Sequence, residues 1–397
     1  MKRVIMQIDV NNAFLSWTAV DMLNRGSDID IRLIPSIIGG DEKTRSGIVL
    51  AKSNIAKEFG IQTAETIYSA RTKCPQVRIY QSNRQTYIKY SNMLYNLLCE
   101  YSDKVERYSI DECFLDMTNC LMKRDILQIA EEISLRVKSE IGFTVNIGIS
   151  ECKVLAKMAS DFEKPDKIHT LYVNEIEKKM WKLPVSELFM LGNKTVPKLK
   201  NMQINTIGEL AKSDRMDIIR AFGKHGNLIW EFANGIDSSE VGKVEAINKS
   251  ISKAETLSKD ETKLENLEIE LKRISEDVCF KLRKEEFLAG TVSVNLRTSE
   301  FKDWSHQVKL EYPNSSTKII TKKAIEVLKE MYKSGIKVRL IGMKLDNLVT
   351  KKEAEEQITF FVNKEKEKQE KLDLVIDNIK KKYGNSKIGW GKEKTDE

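Results

Sequence analysis

Apolar and polar residues follow one another along this chain in two rhythms, and the order of the rhythms sets the fold class. Val4 to Val10 is short, apolar and rich in branched side chains, and it reads as a buried strand. Asn12 to Arg25 carries the three-to-four-residue spacing of an amphipathic helix. Gly39, Gly40 and Gly47 punctuate a loop-rich stretch that leads into a helix near Ser53–Phe59, and Thr86 to Tyr101 repeats the helical spacing. Lys104 to Met117 predicts two strands folded over a tight connection at Ser109–Glu112. Arg124 to Glu140 predicts a helix and Phe143 to Ile149 a strand. This alternation implies an α/β domain over residues 1–172.

The rhythm then changes. Residues 173–238 read as short helices broken at Gly192, Gly208, Gly223 and Gly226, and residues 239–249 as a polar linker. Over 250–349 the order is strand, helix, strand, strand, helix, strand. Its clearest pieces are helices near Leu264–Arg283 and Ser316–Lys333 and strands at Gly290–Thr298 and Val338–Leu345. That order predicts a smaller α+β domain. Residues 350–397 are dominated by Lys and Glu and predict a flexible tail with a helix near Leu372–Tyr383. The fold class is thus α/β and α+β, in several domains.

Composition narrows the picture only a little. Of 397 residues, 41% are hydrophobic, enough for a sizeable core, and the net charge of +7 suits an anionic partner as well as a solvated lysine-rich surface. The six cysteines (Cys74, Cys99, Cys113, Cys120, Cys152 and Cys279) form no C-x-x-C pair and no zinc spacing with the three histidines. They predict reduced thiols and a cytoplasmic protein. The N-terminal apolar run is too short for a signal peptide and holds an acid, and no stretch approaches membrane-spanning length, so no membrane partner is expected.

Three acids stand where acids are costly. Asp9 interrupts the first strand, and Asp111 and Glu112 lie between a strand and an apolar run. Taken singly, Asp9 reads as a helix cap and the other two as a turn. Taken together, a strand end beside a hairpin gathers three carboxylates, and a divalent metal compensates such like charge. Asp116 lies further along the strand and reads as structural.

Ile8-Asp9-Val10-Asn11-Asn12-Ala13-Phe14, Ser109-Ile110-Asp111-Glu112 and Gly148-Ile149-Ser150 with Lys153 resemble, in order and spacing, three signature segments of the Y-family DNA polymerases. The resemblance covers roughly residues 1–350 and implies a right-hand polymerase. Palm and fingers would occupy 1–172, a helical thumb 173–238 and a DNA-gripping little finger 250–349. It implies that Asp9, Asp111 and Glu112, with the Val10 carbonyl, hold two Mg²⁺ ions, which Mn²⁺ can replace. It implies that Phe14 excludes the ribose 2′-hydroxyl, and that Asn12, Ala13, Asn54, Lys57 and Lys164 meet a deoxynucleoside triphosphate. Asn54 and Lys57 depart from the family's tyrosine and arginine, Asn11 from its frequent Asp, and Cys113 from its Ala or Val.

Met190 to Leu210 looks like a helix-hairpin-helix that offers Gly192 and Lys194 to a DNA phosphate. In the last folded domain, alternation places Arg297, Lys337 and Arg339 on a polar face suited to primer–template DNA. Gln357, Ile358, Phe360 and Phe361 form an apolar cluster in the charged tail that resembles the peptide with which bacterial polymerases dock on the sliding clamp. The reading is a monomeric, error-prone polymerase without a proofreading site. Nucleotide cyclases use a similar palm with paired acids, but the hairpin module and the second basic domain speak for a polymerase.

Overall fold

The structure is a computed structural model that describes residues 3–40, 47–121, 124–242, 249–350, 352–353 and 364–383. The chain divides into two compact units, one built from residues 1–40 and 47–245 and the other mainly from 246–397.

In chain order, the first unit opens with β1 (Ile5–Val10), α1 (Ala13–Asn24), β2 (Ser36–Gly39), β3 (Val49–Lys52), α2 (Asn54–Glu58), α3 (Ile67–Lys73), β4 (Arg78–Gln81) and α4 (Arg84–Leu98). It continues with β5 (Val105–Arg107), β6 (Glu112–Asp116), α5 (Ile126–Arg136), β7 (Val145–Ser150), α6 (Lys153–Ser160) and β8 (Ile168–Thr170). Among the described residues these strands form a five-stranded sheet in the order β5-β6-β1-β7-β8 and a three-stranded sheet in the order β3-β2-β4.

β1 is central because every one of its side chains is buried, a pattern only an inner strand supports. Its two faces divide the labour. Met6, Ile8 and Val10 join Trp17 and the buried face of α4 in the main core, while Ile5 packs with Phe114 and Ala156 on the α6 side. Gly148 of β7 lets α6 come so near, since a methyl group there would overlap the Ala156 carbonyl. The helix expected over 124–140 ends at Arg136, and a wider turn over Val137–Ile141 closes at Gly142, whose φ of 97° a side chain would oppose.

Five short helices complete this unit: α7 (Ile176–Lys179), α8 (Val196–Asn201), α9 (Ile207–Lys212), α10 (Arg215–Phe222) and α11 (Lys224–Ala233). They surround a core of Leu199, Ile207, Leu210, Ile218 and Ile229.

The second unit runs β9 (Ser250–Glu261), α12 (Leu264–Lys284), β10 (Phe287–Thr298), β11 (Asp303–Asn314), α13 (Thr317–Met331) and β12 (Val338–Thr350), the order read from the sequence. Its antiparallel sheet, β11-β10-β12-β9, turns Val292, Val294 and Leu296 onto Leu267, Leu271 and Ile274 of α12 and Ile320 and Ala324 of α13. The tail helix, α14, starts earlier than the sequence implied, at Lys364, and runs to Tyr383. It is also tied down. Arg283 donates to both Asp377 oxygens at 2.7 and 2.8 Å, and Thr317 N–H donates to Asp373 at 3.3 Å. No helix among the described residues is long and apolar enough to cross a membrane.

Candidate active site

The C-terminal end of β1 and the start of α1 open onto a cleft of about 430 Å³ within the first unit. Its lining holds Asp9, Val10, Asn12, Ala13, Phe14, Asn54, Lys57, Asp111 and Lys164, together with Asn11, Leu50, Ala51, Lys52 and Thr63. Residues separated by up to 155 positions in the chain thus meet at one place.

The acid end follows from strand register. Asp9 stands opposite Glu112 across the β1–β6 pair, and Val10 N–H donates to the Asp111 carbonyl at 3.1 Å. The two carboxylates facing each other share one cation: Lys157 Nζ lies 2.8 Å from Asp9 and 3.2 Å from Glu112. Lys164 Nζ adds a second contact to Asp9 at 2.9 Å, and Gln7 donates to Glu112 at 3.0 Å. Burial raises the Glu112 pKa; Lys157 pulls it down and Asp9 pushes it up. Burial opposes the charge of Lys157 and Lys164, but Asp9 beside them holds both ammonium groups above their ordinary range. Burial, with Glu112 and Asp111 nearby and against the pull of Arg107, pushes the neighbouring Cys113 thiol up to about 12, which keeps it protonated and inert.

Asp111 behaves differently. Its carboxylate accepts the Ser109 hydroxyl at 2.6 Å, and among the described residues no three acids converge at metal-binding distance. Asp9 and Glu112 meet through Lys157, while Asp111 lines the cleft with Asp9 and has its carboxylate held by the Ser109 hydroxyl. The site still suits divalent metal. Its donors are hard carboxylate oxygens, and two of them already close on a single positive charge. Asp116 accepts the Thr118 N–H at 3.0 Å, the structural role read for it.

The other end of the cleft is cationic and aromatic. Asn12 takes a left-handed conformation (φ 49°), which asparagine tolerates, and its side chain donates to the Lys52 carbonyl at 2.7 Å. That bond ties the start of α1 to β3. No side chain caps α1, so its first N–H groups face the cleft region unclaimed by a cap. Phe14 stacks on Tyr87 with centroids 4.6 Å apart, which fixes its ring at the wall. Ser53 caps α2, the short helix that carries Asn54 and Lys57. Lys52 stands by Lys57; burial and that neighbour both lower its pKa.

Outside the cleft, placement is mixed. Gly192 and Lys194 are exposed in the turn before α8, and a methyl on Gly192 would meet nothing within 4 Å. Arg297 does not lie free on its strand: it is committed to Asp303 through two bonds of 2.6 and 2.9 Å. Arg339 lies over the exposed Phe301 ring at 4.9 Å, and neither it nor Lys337 has an ion pair among the described residues. Gln357, Ile358, Phe360 and Phe361 lie outside the described residues.

Sequence reasoning missed Lys157 and Lys52. Lys157 sits in an ordinary amphipathic helix pattern, and only Gly148, which signals a close helix–strand approach, hints that this lysine is buried. Lys52 is the first residue of the segment Lys52–Gly60 that resembles the family's fingers segment, and only Asn54 and Lys57 in it were given a role.

Two family models match the chain: the impB/mucB/samB family over residues 8–161 and that family's C-terminal domain over 248–360. The chain is 47% identical to a DNA polymerase IV of Clostridium acetobutylicum, covering 98% of this chain and 97% of that one. It is 35% identical to a DNA polymerase IV of Acetivibrio thermocellus, over 98% and 97% of the two chains. Among solved structures it resembles a Y-family DNA polymerase chimera with a TM-score of 0.77 at 21% identity, over 87% of this chain and 99% of that one. A mixed α/β, multidomain polymerase fold with a paired-acid cleft is the class these features define. The chain belongs to the impB/mucB/samB family, alongside bacterial DNA polymerase IV, and is a DNA-directed DNA polymerase that depends on a divalent metal.

Proposed function

We propose that this polymerase extends a primer opposite damaged as well as intact template, without proofreading, and that the cleft beside β1 is where it does so. The single observation that carries the reading is the cleft's polarity: acids at one end, a fixed aromatic ring on the wall and Lys52 and Lys57 at the other end. That order matches an incoming nucleotide, with its α-phosphate near the acids, its sugar on the ring and its triphosphate tail among cations.

Each residue then has a task. The N–H groups that open α1, at Asn12, Ala13 and Phe14, hold phosphate oxygens. Lys57 and Lys164 neutralise the tail, and Asn54 donates to it. Lys52 adds charge that the sequence reading did not assign. The Phe14 ring occupies the space a 2′-hydroxyl needs. Two divalent cations, Mg²⁺ or Mn²⁺ in its place, are assigned to Asp9, Asp111, Glu112 and the Val10 carbonyl, where they would activate the primer 3′-hydroxyl and steady the leaving pyrophosphate. Asp111 reaches such an ion by releasing Ser109.

The remaining assignments rest on resemblance and charge. Residues 1–172 act as palm and fingers, 173–238 as thumb and 250–349 as little finger. Lys337 and Arg339 grip the DNA backbone, as do Gly192 and Lys194, and the tail peptide at Gln357–Phe361 docks on a sliding clamp. The enzyme works as a cytoplasmic monomer. Ribonucleotide incorporation tests the cleft assignment. Phe14→Ala is expected to raise it on the order of 100-fold while deoxynucleotide use changes little. An unchanged sugar preference would move the nucleotide elsewhere.

A further inference from the structure

We propose that Asn11 and Asn146 are positioning residues that clamp the 160–167 strap and thereby aim Lys164 into the active site. The proposal rests on the reading of Lys164 as a triphosphate contact and names what holds it there.

Asn146 is the second residue of β7, opposite Asp9, with no exposed surface. A buried amide in an apolar strand is costly unless all its bonds are made. Here they all are. Its oxygen accepts from Asn11 Nδ2 at 3.0 Å and from Lys167 N–H at 3.3 Å. Its Nδ2 donates to the carbonyls of Ser160 at 2.9 Å and Glu163 at 2.7 Å. An asparagine side chain has two donors and two acceptor sites, so nothing remains to spend.

Asn11, the residue just after β1, completes the clamp. Its oxygen accepts the Asp166 N–H at 2.9 Å, which leaves its Nδ2 facing Asn146. Two amides, one on β7 and one just past the end of β1, therefore pin the strap at Ser160, Glu163, Asp166 and Lys167. Lys164 lies between the middle two, and its ammonium reaches Asp9 and Asp161, each at 2.9 Å.

The polarity of the pair is forced. Asn146 cannot flip, because its Nδ2 serves two carbonyls. Asp at position 11, frequent in the family, would set a carboxylate oxygen against the Asn146 oxygen. Asn11→Asp is therefore harmful in this chain although it changes one atom.

A double-mutant cycle on steady-state dNTP incorporation tests the proposal. Lys164→Ala is expected to raise KM for dNTP about tenfold, Asn146→Ala by a similar factor, and kcat less than about threefold in each. In the Lys164→Ala background, Asn146→Ala should add less than about twofold, because the residue it positions is gone. Multiplying effects would overturn the proposal and leave Asn146 a fold residue only. Asn11→Ala, which removes the bond to Asn146 and the one from the Asp166 N–H, gives the same test if Asn146→Ala folds poorly. Acetylation of Lys164 in the metal-free protein, read by mass spectrometry, gives an answer independent of turnover. Asn146→Ala should speed it about tenfold, and an unchanged rate would also overturn the clamp. If Lys164→Ala leaves KM unaltered while acetylation still responds, the triphosphate reading fails and the clamp stands.

Discussion

The two sheets of this protein carry their charges in opposite ways. The five-stranded sheet of the first unit buries its chemistry: Gln7, Asp9 and Asn146 sit on inner strands, and each is held by at least one bond from another element. The four-stranded sheet of the second unit keeps Val292, Val294 and Leu296 inward and puts Arg297, Lys337 and Arg339 at one end of its two inner strands. A buried charge must be compensated, so its neighbours become fixed and a substitution acts strongly. A surface cation is hydrated and replaceable, and several share one task. The first sheet fixes its polar groups in place and the second leaves its cations at the surface.

Several substitutions would break or sharpen that contrast. The largest effect outside the acids is expected at Gly148. Gly148→Ala drives a methyl into the Ala156 carbonyl and should cost about 3 kcal/mol in denaturant unfolding, with activity falling as α6 shifts Lys157 off Asp9. Wild-type stability there would mean α6 is not seated as described. Glu112→Gln should abolish synthesis yet raise the melting temperature of the metal-free protein by a few degrees. The sign follows from the raised Glu112 pKa. Folding favours its neutral form, so stability is highest below the unfolded carboxylate value and falls as pH rises through the folded one. In EDTA, the Gln variant should lose that part of the pH dependence. An unchanged profile would show that Glu112 is well compensated by Lys157.

Smaller effects belong to the surface. Lys337→Ala and Arg339→Ala should each weaken primer–template binding a few-fold and reduce the salt slope by about one. Arg297→Ala should do less, since Asp303 already claims its guanidinium. Gly192→Ala meets no neighbour, so stability should stay within about 0.5 kcal/mol of wild type while DNA affinity drops, if backbone approaches phosphate there. Equal losses for all four would contradict the division drawn above.

How much was legible beforehand follows the same physics. An acid inside I-D-V is visible because burial makes it anomalous, and the order of elements in the second unit is visible because alternation reports a half-buried strand. Lys157 and Asn146 were not, since a lysine in a helix and an asparagine in a strand look solvated until the packing partner is known. Asp111 lines the cleft with Asp9, but the Ser109 hydroxyl that holds its carboxylate shows only once the hairpin is folded. Arg297 faces Asp303 only once the β10–β11 register is fixed. Asp373 and Asp377, one helical turn apart in a run of Lys and Glu, gave no sign that they anchor α14 on Arg283.

The central claim is that Asp9, Asp111 and Glu112 form the catalytic end of the cleft, and primer extension on an undamaged template with Mg²⁺ tests it most directly. Wild type should extend the primer. Asp111→Asn/Glu112→Gln should fall by at least about 10³-fold, roughly 4 kcal/mol of lost transition-state stabilisation, while still binding primer–template with wild-type affinity. Extension by the double variant at anything near the wild-type rate would contradict the account.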